Sequence, residues 1–414
     1  MKKITLIFAG IFSAFSINAQ VSDTVSTGIG YVNGVYYSLE NDEIHTVEAG
    51  NWDIAFTVAG RGQTIRTNGG HGVELYNYPN GDTSHWFSVD TAGISGWKKY
   101  YNSDSLWTRG AFSQAANSMD MMDMGWGNYN MISHEVTADS LFVVKLADGS
   151  YKKLWIDKLS FKVYYFKYAN LDGSNEVSDT VAKTDYSNKS FGYYSFKNGV
   201  EIDREPDSQS WDLLFTKYGQ ALTPNYYMGV SGVLVNNGVS VNKVSGVHSQ
   251  DADTLSTSFS NSMTSIGYNW KKMDYATYAY QAVDSVTYFV KTQVGDLWKI
   301  AFTGFEGGSS GNYIFTKEKI FSSLGIEQNV NVLSIETYPN PATDFLNIIL
   351  HQSNTADVNV VVYNLSGSLV YSKSFSGAAG INNLQLSVGE FSKGLYVVNI
   401  GSQGKSVNTK FIVK

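Results

Sequence analysis

The chain of 414 residues contains no cysteine. That removes disulfides, thiol nucleophiles and thiolate metal sites, and also the acylated cysteine that anchors a lipoprotein behind its signal. Basic residues are outnumbered, 30 Lys and Arg against 37 Asp and Glu, for a net charge of -7 and a sequence pI near 5.4. No basic stripe is present, which excludes a nucleic-acid partner bound through its phosphate backbone. A long hydrophobic run is also missing. The apolar stretch from Ile4 to Phe15 is too short to span a bilayer and predicts no transmembrane segment.

Complete catalytic patterns are absent too. Gly307-Gly308-Ser309-Ser310-Gly311 satisfies G-x-S-x-G, but a nucleophile elbow needs a following helix, and the β-run Asn312 to Thr316 comes next. That stretch reads as a hairpin loop. Gly404-Lys405-Ser406 looks like the end of a phosphate loop, yet Asn399 stands where that loop needs glycine. His134-Glu135 lacks the second histidine of a zinc-protease helix. A pair of catalytic carboxylates has a spacing visible only in three dimensions. The expectation is a protein that is not an enzyme.

What is there is aromatic: 28 Tyr, 22 Phe and 9 Trp, with 39 Gly and 5 Pro. That balance favours pleated, half-buried surfaces joined by tight turns, an all-β chain. Lys2 and Lys3, the apolar run, and Ile17-Asn18-Ala19-Gln20 have the layout of a secretory signal peptide, residues 1–19.

Two short echoes organise the rest. Asn51-Trp52-Asp53-Ile54-Ala55-Phe56 is matched by Ser210-Trp211-Asp212-Leu213-Leu214-Phe215, each after a Tyr-Tyr-Ser segment at 36–38 and 193–195. Downstream, Asp139 to Lys145 with Leu154-Trp155 is matched by Asp284 to Lys291 with Leu297-Trp298. The repetition predicts two tandem β-rich modules, residues 20–175 and 176–325. In the first Trp-Asp strand a period of two places Trp52, Ile54 and Phe56 on one face, with Asp53 and Ala55 on the other. Asp53 and Asp212 then read as partners for a neighbouring backbone amide or Arg, or as surface carboxylates. Gly60 to Gly62 and Thr67 to Gly72 are loops whose glycines permit positive φ and close backbone approach. Asp148-Gly149 predicts a hairpin turn between Leu141–Leu146 and Tyr151–Ile156.

The first module alone carries a methionine cluster, Met119, Met121, Met122, Met124 and Met131, with His71, His85 and His134 nearby in sequence. Methionine packs irregular cores, lines adaptable apolar pockets, or offers thioether sulfur to iron or copper. All three readings stay open on the sequence.

With Trp52 to Phe56, Thr67-Asn68-Gly69-Gly70, Gly72-Val73 and Phe142 to Gly149 in place, the module resembles the HmuY-type haem-binding family. The resemblance covers most of residues 21–175 and, more weakly, 176–325. It implies a β-rich secreted or surface protein that captures haem between loops, with iron held by paired histidines or, in some members, methionine. Met124 or Met131 would stand in because the stretch Met124 to Met131 ahead of the Leu141 strand has no histidine, and His71, His85 and His134 are the remaining candidate ligands.

Residues 330–414 show about seven short strands, a small Ig-like sandwich. Tyr338-Pro339-Asn340-Pro341-Ala342-Thr343-Asp344, Leu346-Asn347-Ile348, Asn364-Leu365-Ser366-Gly367, Lys393-Gly394-Leu395-Tyr396 and the terminal Lys410 to Lys414 resemble the type A sorting domain of the type IX secretion system. That implies the type IX machinery as a partner, export across the outer membrane, removal of the domain, and release or attachment at the cell surface. The expected role is a non-enzymatic binder of haemophore type, for haem or a related porphyrin. The alternative is a structural or adhesive surface protein that holds glycan or protein through exposed Trp and Tyr.

Overall fold

A computed structural model describes residues 20–223, 226–254, 257–321, 332–352, 355–365, 368–402 and 405–414. The predicted leader lies outside the described residues, as do Ser366 and Gly367 of the sorting motifs and Gly404 of the Gly404-Lys405-Ser406 stretch. The chain divides into two compact units, Met1–Ser323 and Leu324–Lys414. It is all-β, as expected: among the described residues the longest helical element is the 3-10 turn Ala111–Ala115.

Eighteen strands build the sheets of the first unit, in two runs of nine. The first run is β1 (Val21–Ser26), β2 (Asn33–Ser38), β3 (Asp42–Glu48), β4 (Ile54–Thr57), β5 (Ile65–Thr67), β6 (Glu74–Asn77), β7 (Phe142–Lys145), β8 (Tyr151–Ser160) and β9 (Val163–Asn170). The second is β10 (Val177–Ala182), β11 (Phe191–Ser195), β12 (Val200–Ile202), β13 (Leu213–Thr223), β14 (Tyr226–Val235), β15 (Ser240–Ser245), β16 (Val286–Lys291), β17 (Leu297–Phe305) and β18 (Asn312–Phe321). Short strands at 99–100, 127–130, 135–138, 271–274 and 279–282 decorate these.

The strands form two sandwiches, and each borrows its opening strands from the other half of the chain. One sandwich stacks the order β10-β9-β8-β7-β6 on β12-β11-β4-β5. The other stacks β1-β18-β17-β16-β15 on β14-β13-β2-β3. Every strand of one is the counterpart, nine places along, of a strand of the other. All pairings are antiparallel: Val21 faces Lys317 where β1 joins β18, and Val177 faces Tyr168 where β10 joins β9. Tyr37 faces Leu213, and Tyr194 faces Ile54.

The boundary expected at 175/176 therefore does not separate two cores. The core of the first sandwich joins Ile54, Phe56, Phe142, Leu154 and Phe166 to Val181, Tyr186, Tyr194 and Phe196 from beyond that boundary. The second joins Val25, Val35, Tyr37 and Leu39 to Leu213, Phe215, Tyr288 and Phe315. A five-residue echo marks the exchanged strands. Val-Ser-Asp-Thr-Val stands at 21–25 and again at 177–181, and each copy makes the edge strand of the opposite sandwich.

The Trp-Asp positions are the clasps. The Asp53 carboxylate accepts from the Phe196 amide at 2.7 Å, just past β11, and the Asp212 carboxylate accepts from the Leu39 amide at 2.8 Å, just past β2. Their own amides donate to the Tyr194 and Tyr37 carbonyls. Asn68 and Asn236 repeat the matching: Asn68 donates to the Ala49 and Trp52 carbonyls, Asn236 to those of Ser208 and Trp211. Of the predicted readings of the two Asp residues, backbone pairing is the one observed.

One face assignment differs from expectation. The strand begins at Ile54, so the alternation does not extend back to Trp52, which packs with Ala55, Phe191 and Tyr193 on the face opposite Ile54 and Phe56. Both faces of β4 are buried because the outer sides of the two four-stranded sheets cover each other. Trp107 plugs that junction, with Phe191 and Trp211 against its ring and its indole N–H donating to the Val235 carbonyl at 2.8 Å.

Turns follow the local signals. Gly149 sits at φ 87 in the Asp-Gly hairpin between β7 and β8, and Asp148 accepts from the Ser150 amide. Gly307–Ser309 is a 3-10 turn joining β17 to β18, the hairpin loop predicted from the sequence. Gly70 permits a close approach: a Cβ there would lie 2.5 Å from the Tyr218 Cα. In the second unit, described strands pair as sheets of three and four around Leu346, Ile348, Val360, Val398, Ile400 and Phe411, in keeping with the predicted small sandwich.

Candidate functional site

The methionine cluster divides by burial. Met124 packs partly buried against the first core, whereas Met119, Met121 and Met131 are 91 %, 86 % and 67 % exposed. The backbone ties them to one hairpin: the Met124 amide donates to the Gly127 carbonyl and the Tyr129 amide to the Met122 carbonyl. Met131 and His134 share the turn of that hairpin, between strands Gly127–Asn130 and Glu135–Ala138. His134 adopts a left-handed φ of 59, and its Nδ1 lies 2.8 Å from the Tyr129 hydroxyl. A hydrogen bond at one ring nitrogen orients the other, the arrangement metal-bound imidazoles use.

The other two histidines lie elsewhere. His85 is half-exposed, with Nδ1 3.2 Å from the Ser84 hydroxyl and 3.6 Å from Asp82. His71 follows Gly70 against β13. Burial first, then the charges of Lys217 and Arg204, push its pKa down to about 4, so its ring is neutral, and its Nε2 is buried without a partner. Of the five expected ligands, the structure places Met131 and His134 on one turn. Among the described residues no group of three His, Asp or Glu is placed to hold a metal.

Two concavities lie in the first unit, and none of the five expected ligands lines either. One is an open recess of about 500 Å3 edged by Trp97, Lys98, Tyr100, Tyr101, Gln114 and Tyr227. Tyr101 and Tyr227 stack there at 3.8 Å, and the Lys98 ammonium sits 4.9 Å from the Tyr100 ring centre. The 3-10 turn Ala111–Ala115 packs beside the strand Lys99–Tyr100 and leads directly into the Met-bearing segment.

The other concavity, about 90 Å3, lies in the junction between the two four-stranded sheets. Tyr36, Leu214 and Tyr218 line one side; Ala55, Arg66 and Tyr193 line the other, with Trp52, Trp107 and Arg204 at the rim. Arg66 and Arg204 are each 7 % exposed. The Arg66 guanidinium sits over Trp107 and donates to the carbonyls of Ser103, Leu106 and Trp107. Burial pushes its pKa down to about 10, which leaves it charged at neutral pH. Arg204 lies over Trp52 and Tyr193 and donates to the Glu48 carbonyl. None of these positions stood out in the sequence. Arg66 and Arg204 belong to no motif and are brought together only by the exchanged strands.

Glu205 is the buried acid beside this cavity. It accepts from the Phe191 amide at 3.0 Å. Burial raises its pKa to about 7, opposed by the Phe191 and Ser190 hydrogen bonds and by Arg204. A carboxyl whose folded pKa lies above its unfolded value gives stability that is present at low pH and lost as pH rises through about 7. Glu205→Gln should therefore raise the melting temperature at pH 8, by at most roughly 3 kcal/mol of stability, with the gain shrinking toward pH 5. Thermal melts of both proteins at the two pH values check this.

Residues 30–162 match the family described as HmuY protein. Residues 336–414 match the secretion system C-terminal sorting domain. The chain thus carries one HmuY match and one sorting domain, and residues beyond 162 give no second HmuY match. The sorting domain marks the protein for export by type IX secretion to the cell surface or the medium. Among the described residues no helix is long and apolar enough to cross a membrane. No curated protein matches. Dimeric latent PorU from Porphyromonas gingivalis shares 11 % identity over 95 % of this chain and 34 % of that one, at a TM-score of 0.18. The chain spans about a third of that protein, and a likeness so low carries no argument.

The residues present fit haem in part. The cavity of about 90 Å3 is far below the several hundred Å3 of ordinary cofactor pockets. What the surface offers is thioether and imidazole on one turn, both donors suited to iron.

Proposed function

We propose that this is a secreted or surface binding protein of haemophore type, without catalytic activity, whose ligand is haem or a related porphyrin. The observation that carries the reading is the exposure of Met119, Met121 and Met131 within the HmuY-matching region. Methionines that meet solvent so fully are not filling a core, and thioether sulfur binds soft iron and apolar ring surfaces alike. Met131 and His134 are the proposed iron donors, with Tyr129 orienting the imidazole. The recess at Trp97 to Tyr101 has the flat aromatic walls and the lysine that a planar ring bearing carboxylates would use. We further propose that the two nine-strand runs descend from one duplicated unit, of which the first retained the ligand role.

Haemin titrated into the full chain should produce a shifted Soret band that saturates. A Met131→Ala, His134→Ala double variant should weaken binding by roughly 10- to 100-fold, and a Met124→Ala, Met131→Ala variant should be weakened through Met131. A titration with no spectral change in the wild type removes the haem reading. The surface-adhesion alternative would then be tested on a glycan array.

A further inference from the structure

A third concavity of the first unit lies on the outer face of β8, β9 and β10, turned away from the first core. It is an open groove of about 490 Å3, lined by Trp155, Asp157, Tyr165, Lys167, Ser178 and Thr180. Strand register accounts for the set. Trp155 faces Lys167 and Lys167 faces Ser178 in one cross-strand row, and Lys158, Tyr165 and Thr180 make the next. Alternate residues of β9 point the other way, so Tyr164, Phe166 and Tyr168 are buried in the core. A bulge between Ile156 and Lys158 leaves Asp157 outside the ladder register, and such bulges re-aim a side chain.

The second sandwich has the same two rows with different chemistry. There Ala301, Thr316 and Ser22 stand for Trp155, Lys167 and Ser178, and Gly304, Ile314 and Thr24 stand for Lys158, Tyr165 and Thr180. Its bulge carries Thr303 where the first has Asp157. The serine and threonine of the edge strand recur, but the indole, the phenol and the three charges belong to the first sandwich. Sheet packing does not require them, since the same sheet forms around Ala301 and Gly304. Each ring carries an ammonium: Lys167 lies 4.3 Å from the Trp155 ring centre, and Lys158 lies 5.1 Å from that of Tyr165. Among the described residues neither lysine forms an ion pair.

We propose that this groove binds an oligosaccharide, with sugar rings against Trp155 and Tyr165 and hydroxyls met by Asp157, Ser178 and Thr180. The C–H face of a pyranose packs on the electron-rich face of an aromatic ring. Its rim of hydroxyls needs donors and acceptors together, which a carboxylate, an ammonium and two alcohols supply. An open groove on an exposed sheet face admits an extended chain, whereas a closed pocket admits a small molecule. The two lysines extend the same recognition to a sugar that bears a carboxylate. No methionine or histidine lines the groove, which leaves it without the donors proposed for iron. The proposal therefore does not rest on haem binding, and either can fail alone.

The test is native electrophoresis of the full chain through gels that each contain one soluble polysaccharide. Laminarin, dextran and mannan are the neutral probes, and alginate and polygalacturonate the acidic ones. Retardation that saturates with polymer concentration in at least one gel supports the proposal, and the gel in which it occurs tells whether the lysines meet a sugar carboxylate. A Tyr165→Ile, Lys167→Thr double variant takes the residues of the second sandwich. It should melt close to wild type and bind roughly tenfold more weakly. If it does not fold, Thr180→Trp, at an exposed position of the groove, decides by filling it. A wild type retarded in none of the five gels overturns the proposal, as does retardation unchanged in the folded variant.

Discussion

A fragment of residues 20–175 is expected to remain unfolded, while one of residues 50–205, cut to follow the strand exchange, folds cooperatively. The first fragment keeps β1, β2 and β3 but lacks their partners β18 and β13. It also lacks Val181, Tyr186, Tyr194 and Phe196, each at most 6 % exposed in the first core. Side chains of that size contribute roughly 1.5–3 kcal/mol each when buried. Their joint loss is of the order of a whole domain's stability, about 5–15 kcal/mol. The second fragment retains both sheets of the first sandwich, β10-β9-β8-β7-β6 and β12-β11-β4-β5. Urea unfolding followed by near-ultraviolet circular dichroism separates the outcomes. A sharp, cooperative transition for 20–175 would show that the exchanged strands are dispensable. The complementary fragment 206–321 should gain structure when a peptide of residues 20–48 is added, since that peptide supplies β1, β2 and β3.

Replacing both clasp carboxylates, Asp53→Ala with Asp212→Ala, should cost roughly 4–6 kcal/mol, about 2–3 for each. Each substitution strands a buried amide, that of Phe196 or of Leu39, which are 3 % and 0 % exposed. Water cannot reach either amide to compensate, so the full desolvation penalty applies. Asparagine keeps an acceptor oxygen without a charge, and the corresponding Asn variants should stay within about 1 kcal/mol of wild type. Above pH 6 Asp212→Asn should equal or exceed it. Burial, opposed by the Leu39 amide, raises the Asp212 pKa to about 6. A carboxyl raised in the folded state loses its stabilising contribution as pH climbs through that value, and asparagine escapes this loss. Denaturant midpoints of the four single variants at pH 5 and pH 8 measure it. Alanine variants as stable as wild type would mean that the carboxylates hold nothing.

The same residues show how far local pattern reaches. Trp-Asp and Tyr-Tyr-Ser mark the places where the two halves interlock, and a backbone partner is one of the readings the sequence leaves open for the Asp residues, beside an Arg partner and a surface carboxylate. The partner amides themselves lie 143 and 173 positions away in sequence. No spacing rule connects such positions. The methionine cluster was visible as a composition anomaly, but its split into a packed Met124 and exposed Met119, Met121 and Met131 depended on which turn of the hairpin faced solvent.

By itself the sequence determined the all-β class, the strand-rich tail with its sorting motifs, and the hairpin turns at Asp148-Gly149 and Gly307 to Ser309. These follow from side-chain alternation and turn chemistry, which act over a few residues. Only the tertiary structure decided which strands became neighbours. Two nearly equivalent edge strands, β1 and β10, each had two chemically similar sheets to join, and their choice of the opposite one rests on the summed burial of cores assembled from distant segments. That exchange also made the basic cavity, because it laid Arg66 on β5 and Arg204 just past β12 against the outer face of the other sandwich.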